Sequence, residues 1–166
     1  ASVSGTSAGA MNAVVMADGL NRGGREGARE ALGDFWEAVS DAARLSPIQR
    51  NLWDRMTSNF SLDGSSAYLV FEQLTRQFSP YQLNPLNINP LRDLVAERVD
   101  FDSVNHCARV KVFVTATNVR TGRARTFTQP EISVETVMAS ACLPFLFQAV
   151  EIDGEAYWDG GYVGNP

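Results

Sequence analysis

Residues 1–20 read ASVSGTSAGAMNAVVMADGL, and this stretch decides the fold. Residues 1–5 are typical of the end of a β-strand. Residues 8–20 are small or apolar on nearly every side, which predicts a buried helix with Gly19 as its C-cap. Between the strand and the helix, residues 5–9 form the pattern Gly-x-Ser-x-Gly. The sequence therefore predicts a strand that turns sharply into a helix, with a serine at the turn.

A serine at such a turn has a chemical use. Glycines on both sides, Gly5 and Gly9, avoid clashes that a side chain would cause, and the turn exposes the Ser7 hydroxyl. The backbone N–H of Ala8 and the positive end of the following helix favour a developing oxyanion. The alternative is a Gly-rich turn into a helix that Ser7 only caps, and the pentapeptide alone does not decide between the two.

A serine nucleophile needs a base, which is usually a histidine oriented by a carboxylate. The chain has one histidine, His106, and its neighbours favour an ordinary surface or helix-end residue. The better candidate is Asp159, which ends a predicted strand before Gly160 and Gly161, two residues that permit unusual backbone angles. Its alternative is a turn aspartate that hydrogen-bonds its own backbone.

The rest of the chain mixes helices with strands, which indicates an α/β fold. Loops are predicted over residues 21–27 and 79–89. Helices are predicted over residues 25–43, 66–78, 90–98 and 133–141. Ser65 or Ser66 would be the N-cap of the second, and Asn89 the N-cap of the third. Strands are predicted over residues 109–117, 124–128, 148–152 and 155–158, and Asp153-Gly154 between the last two is a strong hairpin signal.

Composition excludes several classes of function. The 166 residues are 45% apolar, enough for the core of one domain, and the net charge of −5 argues against nucleic acid as a partner. Two distant cysteines and one histidine argue against a disulfide framework and a zinc site, and we expect no metal or cofactor. The longest apolar run, residues 142–147, is far shorter than the roughly 20 residues of a membrane span.

Several motifs in order resemble the patatin-like phospholipase family. The main three are residues 5–10 (GTSAGA), residues 139–144 (ASACLP) and residues 159–161 (DGG) with Asn165-Pro166. Two further stretches resemble the same family, namely residues 114–118 with Thr121-Gly122, and residues 79–85, which are similar to bacterial members. Each motif is modest alone, but their shared order and spacing are specific.

The resemblance implies a three-layer α/β/α sandwich around a mainly parallel sheet. It implies one domain over residues 1–166, with residues 44–105 as a helical cap-like region. It also implies a Ser–Asp dyad without histidine or metal, in which Ser7 is the nucleophile and Asp159 the base. Hydrolysis of acyl esters of phospholipids and related lipids is the family activity, so a lipid acyl ester is the expected substrate.

We expect the natural protein to extend beyond this sequence at both ends. Members of the family carry a Gly-rich oxyanion loop upstream of the serine turn, and further strands are expected downstream. Ala8 would supply only one oxyanion N–H, and losing one such donor typically lowers rates by about 100- to 1000-fold. Two other functions therefore stay open: a lipid-binding or storage protein with little activity, and a soluble esterase or thioesterase for small acyl groups.

Other residues are candidates for lipid contact, each with a duller alternative. Leu143, Pro144 and Phe145 would shape the floor near the acyl chain, or pack against the sheet. Three arginines would contact lipid headgroups, or alternatively lie on a helix face exposed to solvent, namely Arg22, Arg25 and Arg29. Four aromatic residues would form a lipid-facing lid, or alternatively pack in the core. They are Trp53, Phe60, Tyr68 and Phe71. We expect a bacterial protein, cytoplasmic or in peripheral contact with a membrane surface, and no signal peptide is visible.

Overall fold

The computed structural model describes residues 1–44 and 77–164. The predicted helix over residues 66–78 and the predicted aromatic lid lie largely or wholly outside these ranges. In chain order the elements are β1 (Ser2–Gly5), α1 (Ala8–Arg44), α2 (Pro80–Leu83), α3 (Pro90–Arg98), α4 (Phe101–Asn105), β2 (Lys111–Asn118), β3 (Ala124–Thr128), α5 (Val134–Ser140), β4 (Val150–Ile152), β5 (Glu155–Asp159) and a 3₁₀ turn over Gly160–Tyr162.

β2 is the centre of the sheet and has three neighbours. β3 pairs antiparallel with residues 113–117 along one edge of β2. β1 pairs parallel with residues 111–114, and β5 pairs antiparallel with residues 116–118. Because a strand has only two edges, β1 and β5 lie end to end along the second edge. Their C-terminal ends, Gly5 and Asp159, therefore point at each other across Thr115 of β2.

The sheet is mixed, which confirms the α/β class but corrects one expectation. β4 pairs antiparallel with β5, so among the described strands only the β1–β2 pairing is parallel. The prediction of a mainly parallel sheet is therefore wrong for this part of the chain. The reason is local: β2–β3 and β4–β5 are hairpins, and a short hairpin turn can join only antiparallel strands. At the β4–β5 turn, Asp153 and Gly154 have φ of +53° and +75°, the left-handed values that this kind of turn requires.

α1 consists of two helical segments that meet at Gly23 and Gly24. Gly24 has φ +65° and ψ −146°, outside the helical region. The two predicted helices are thus correct, but the predicted loop over residues 21–27 shrinks to two residues. Gly19 is not a C-cap. A Cβ at Gly19 would lie 2.5 Å from the carbonyl oxygen of Gly27, so this glycine allows the two segments to approach closely.

Side-chain caps fix the ends of the shorter helices. The Asn89 side chain accepts the Leu91 N–H at 3.2 Å at the start of α3, as predicted. Ser133 caps α5 in the same way. Two short helices were not predicted: the single turn α2 inside the expected loop, and α4, which Asp100 caps. Both are too short to carry the apolar period by which helices are recognised in a sequence.

The core lies where the first segment of α1, β2 and α5 meet. Its fully buried members alternate along β2, where Val112, Val114 and Ala116 point inward. Val95 of α3 and Val104 of α4 belong to the same core. Residues 77–105 thus contribute to the core, whereas the cap-like role expected for residues 44–105 stays a prediction, since residues 45–76 lie outside the described ranges.

Candidate active site

Ser7 occupies a sharp turn between β1 and α1. Its φ is +53°, a left-handed value that costs a residue with a side chain roughly 1–2 kcal/mol. The strained turn is held by the Ser7 N–H, which donates to the carbonyl oxygen of Ser140 at 3.0 Å and to Ser140 Oγ at 3.1 Å. Such strain persists only where the surroundings impose it, and it marks candidate functional sites.

Gly5 and Gly9, which flank the serine turn, differ in how closely they are packed. A Cβ at Gly5 would lie 2.3 Å from the backbone of Gly9, so no side chain fits there. A Cβ at Gly9 would meet nothing within 4 Å. The prediction that both glycines avoid a clash is therefore correct for Gly5 and wrong for Gly9. The space beside Gly9 belongs to the cleft in front of the serine.

Asp159 is 5% exposed and is anchored by three hydrogen bonds. Its backbone N–H donates to the Cys142 carbonyl at 2.8 Å, and its own carbonyl accepts the Thr117 hydroxyl at 2.8 Å. Its Oδ1 accepts the Gly161 N–H at 2.7 Å. The carboxylate thus caps its own turn, as the plainer interpretation predicts, while Oδ2 is left for other partners.

Gly160 lets this turn sit directly on the sheet. A Cβ here would lie 2.2 Å from the Thr115 carbonyl oxygen and 2.7 Å from Thr6 Cγ2. Thr115 is the residue at which the ends of β1 and β5 converge. Close contact at this glycine therefore brings the turn that carries Asp159 against the turn that carries Ser7.

Ser7 and Asp159 line one open cleft of about 400 Å³. The other described residues that line it come from the same two turns and are Ser4, Gly5, Thr6, Ala8, Gly9 and Gly161. The structure thus brings together the two side chains that the sequence singled out, although they lie 152 positions apart. No hydrogen bond joins the two side chains.

The model of the patatin-like phospholipase family matches residues 1–166, the whole of this sequence. The chain belongs to the patatin-like phospholipase family. No curated protein matches the chain. Membership makes hydrolysis of lipid esters the activity to expect of this chain, since that is the general activity of the family.

Of the other residues predicted to contact the substrate, some line the cleft and others do not. Ala8 lines it, and as the first residue of α1 it has no intrahelical acceptor for its N–H. Leu143, Pro144 and Phe145 do not line it; they form a turn that follows Cys142, whose carbonyl binds the Asp159 N–H. Their predicted contact with an acyl chain stays a prediction.

His106 takes no part in the site. It is exposed and ends α4, where its Nδ1 lies 2.8 Å from the Asp102 carbonyl oxygen. Two of the arginines considered for headgroup contact are paired along their own helix, Arg22 with Asp18 and Arg29 with Glu26. None of these side chains lines the cleft of Ser7 and Asp159.

Ser140 is a supporting residue that sequence reasoning missed. It is completely buried, and its hydroxyl donates to the Thr115 carbonyl at 2.7 Å while accepting the Ser7 N–H. One side chain therefore connects the serine turn, the centre of β2 and the end of α5. The signal was present, because Ser140 lies inside the ASACLP motif, but a motif does not reveal which neighbour a hydroxyl will meet.

Cys142 packs behind Asp159 as an inert thiol. Burial raises its pKa to about 11, and the Asp159 carboxylate adds a smaller contribution in the same direction. Its Sγ donates to the Gln148 carbonyl at 3.1 Å. The thiol is therefore protonated at neutral pH and is not a competing nucleophile.

Residues 1–44 and 77–164 contain no group of three or more metal-ligating side chains arranged to hold a metal ion. Among the helices of the same ranges, none combines the length and the apolar composition needed to cross a bilayer.

Proposed function

We propose that this chain is a serine lipid acyl hydrolase in which Ser7 and Asp159 act as a dyad. The observation that carries the proposal is the end-to-end arrangement of β1 and β5, by which both side chains line one cleft. Family membership supports the choice of lipid esters as substrates. The finer architecture that we infer with it is a three-layer α/β/α sandwich.

In the first half-reaction, Ser7 Oγ attacks the ester carbonyl carbon and its proton passes to the Asp159 carboxylate. The bond between the acyl carbon and the alcohol oxygen then breaks, and the leaving alcohol takes that proton. An acyl group remains on Ser7. The Ala8 N–H and the positive end of α1 support the negative charge on the carbonyl oxygen during the attack.

In the second half-reaction, water attacks the acyl-enzyme. Asp159 accepts a proton from the water, the bond between the acyl carbon and Ser7 Oγ breaks, and the proton returns to the serine. The products are a free fatty acid and an unchanged enzyme. No imidazole is needed, which suits a cleft that His106 does not reach.

A series of esters tests the substrate class. We expect fatty acid release from phosphatidylcholine, and turnover of simple esters that rises with acyl chain length. Activity confined to short acyl groups would instead favour a soluble esterase or thioesterase. Fatty acid binding without turnover of any ester would favour a lipid-binding or storage protein. The lack of a Ser7–Asp159 hydrogen bond is the observation that favours this second candidate.

A further inference from the structure

Three stretches of the chain carry no charged side chain: residues 77–91, 136–150 and 160–164. We call them together the uncharged rim. One residue in five of the whole chain is charged, so a random stretch of 15 residues would carry about three charges. Residues 1–17 are also free of charge, but they form β1 and the largely buried start of α1. The rim is set apart because it combines a lack of charge with exposed apolar side chains.

The three stretches adjoin one another and the cleft. Gln148 Nε2 donates to the Asn84 carbonyl at 2.8 Å, which links the first two stretches. The Asp159 N–H donates to the Cys142 carbonyl, and the third stretch begins at the next residue. A cavity of about 320 Å³ between the first two stretches has Tyr81 and Phe147 among its lining residues. Charged side chains border it just outside the rim, where Arg92 pairs with Glu135 and Glu151 adds a negative charge. The rim thus reaches the carboxylate side of the cleft.

The rim carries all the exposed large apolar side chains in the described ranges. The most exposed are Leu86 at 80%, Ile88 and Phe145 at 62%, and Tyr81 at 58%. The others are Phe78, Leu83, Leu143, Tyr162 and Val163. A monomeric protein in water rarely gathers its exposed apolar side chains in this way, and such a patch marks a contact surface.

The absence of charge selects the kind of surface that the rim fits. Anionic membranes are recognised by lysine and arginine near the surface, and the rim offers none while the whole chain carries a net charge of −5. Tyrosine and phenylalanine suit the boundary between lipid tails and headgroups. We propose that the uncharged rim docks on a zwitterionic lipid surface by inserting its apolar side chains, beside the mouth of the catalytic cleft.

The proposal rests on the lipid hydrolase function only for its purpose, which is to bring esters from the lipid surface to Ser7. Docking itself needs no catalysis. Binding is therefore measured in a Ser7→Ala background, where lipid stays intact. If wild-type turnover is absent while Ser7→Ala still docks, the hydrolase function fails and the rim proposal stands. If the wild type hydrolyses esters but Ser7→Ala does not dock, the rim proposal fails and the hydrolase function stands.

Co-sedimentation of the full chain with phosphatidylcholine vesicles tests the docking. We expect Leu86→Ser and Phe145→Ser each to weaken partitioning about tenfold or more, because each removes one apolar side chain that inserts. Ala108→Ser, at an exposed apolar position outside the rim, is the matched control and should leave partitioning unchanged. Thermal unfolding of each variant shows that the fold is intact.

Salt and lipid charge give a second readout. We expect partitioning to stay the same between about 0.05 and 0.5 M salt and to fall when phosphatidylserine is added. Binding that vanishes in high salt would overturn the proposal, as would rim variants that bind like the wild type. Self-association in the absence of vesicles that Leu86→Ser abolishes would also overturn it, by showing that a second copy of the chain covers the rim.

Discussion

Ser7 and Asp159 face the same cleft, but the two turns that carry them are held by different means. The Ser7 turn is strained, with φ +53°, and its N–H depends on Ser140, which lies 133 positions away. The Asp159 carboxylate caps its own turn through the N–H of Gly161, only two residues on. The backbones of both residues thus have distant partners, Ser140 for Ser7 and Thr117 for Asp159, but the Asp159 carboxylate is also fixed by a local hydrogen bond.

Because of this difference, substitutions in the two turns should affect stability and catalysis in different ways. A change at Ser140 or Gly5 acts on the serine turn through packing and strain, because the left-handed φ of Ser7 persists only while its surroundings impose it. A change at Asp159 itself alters chemistry with little loss of structure, because an amide can accept the same Gly161 N–H.

Ser7→Ala should lower ester turnover by about 10⁴-fold or more, since it removes the hydroxyl that forms the acyl-enzyme. Its backbone contacts with Ser140 do not involve the lost hydroxyl, so the midpoint of denaturant unfolding should change little. Initial rates on a simple ester measure the effect. Turnover in Ser7→Ala close to that of the wild type would refute the assignment of the nucleophile.

Asp159→Asn should lower kcat by about 1000- to 10,000-fold while the protein stays folded. The amide still caps the turn but cannot accept the serine proton. Asp153→Asn is the matched control: it makes the same chemical change in the neighbouring hairpin, at an exposed residue whose left-handed φ suits asparagine. Equal activity in the two variants would contradict the role of Asp159 as base.

Gly5→Ala and Gly9→Ala separate the two glycines of the serine turn. Gly5→Ala should destabilise the fold by about 3 kcal/mol or more, because its Cβ would lie 2.3 Å from backbone atoms that cannot give way. Gly9→Ala should change the unfolding free energy by less than about 1 kcal/mol, because its Cβ meets open space. Urea denaturation measures both, and similar losses in the two variants would show that the turn is packed otherwise.

Ser140→Ala should cost about 1–2 kcal/mol of stability, since two buried hydrogen bonds lose their shared hydroxyl. It should also lower kcat, because the Ser7 N–H keeps only one of its two acceptors. The conservative substitution Ser140→Thr retains a hydroxyl and should recover part of kcat if the site admits the extra methyl. A Ser140→Ala variant with wild-type kcat would show that the distant contact is not needed to hold Ser7.

Alkaline pH tests the environment behind Asp159. The pKa of Cys142 is raised to about 11 in the folded protein from an ordinary value of about 9. The folded state therefore keeps a proton that the unfolded state loses, so stability is full below about pH 9 and falls as the pH rises towards 11. Unfolding midpoints across this range should fall more steeply for the wild type than for Cys142→Ala. Identical slopes would contradict the burial of the thiol.

The parts of the structure that were predictable are those with local causes. The serine turn, the Asn89 cap and the Asp153-Gly154 hairpin each follow from residue types with specific backbone or hydrogen-bonding preferences. Residue types made Asp159 the best candidate carboxylate, with an ordinary turn aspartate as the alternative, and the resemblance to a family gave it the role of base.

The parts that were missed have non-local causes. The meeting of β1 and β5 at Thr115 depends on how one strand divides its edge between two partners, which no short pattern records. The same holds for Ser140, whose role depends on two contacts far away in the chain. Gly19 was mistaken for a cap because a glycine required for close packing has the same appearance in a sequence.

The most direct test of the dyad is the rate at which a fluorophosphonate labels Ser7, with the modified peptide identified by mass spectrometry. The dyad predicts rapid labelling at Ser7 in the wild type and in Asp153→Asn, and labelling slowed by about 1000-fold or more in Asp159→Asn. Label on another residue, or equal rates in Asp159→Asn and the wild type, would contradict it.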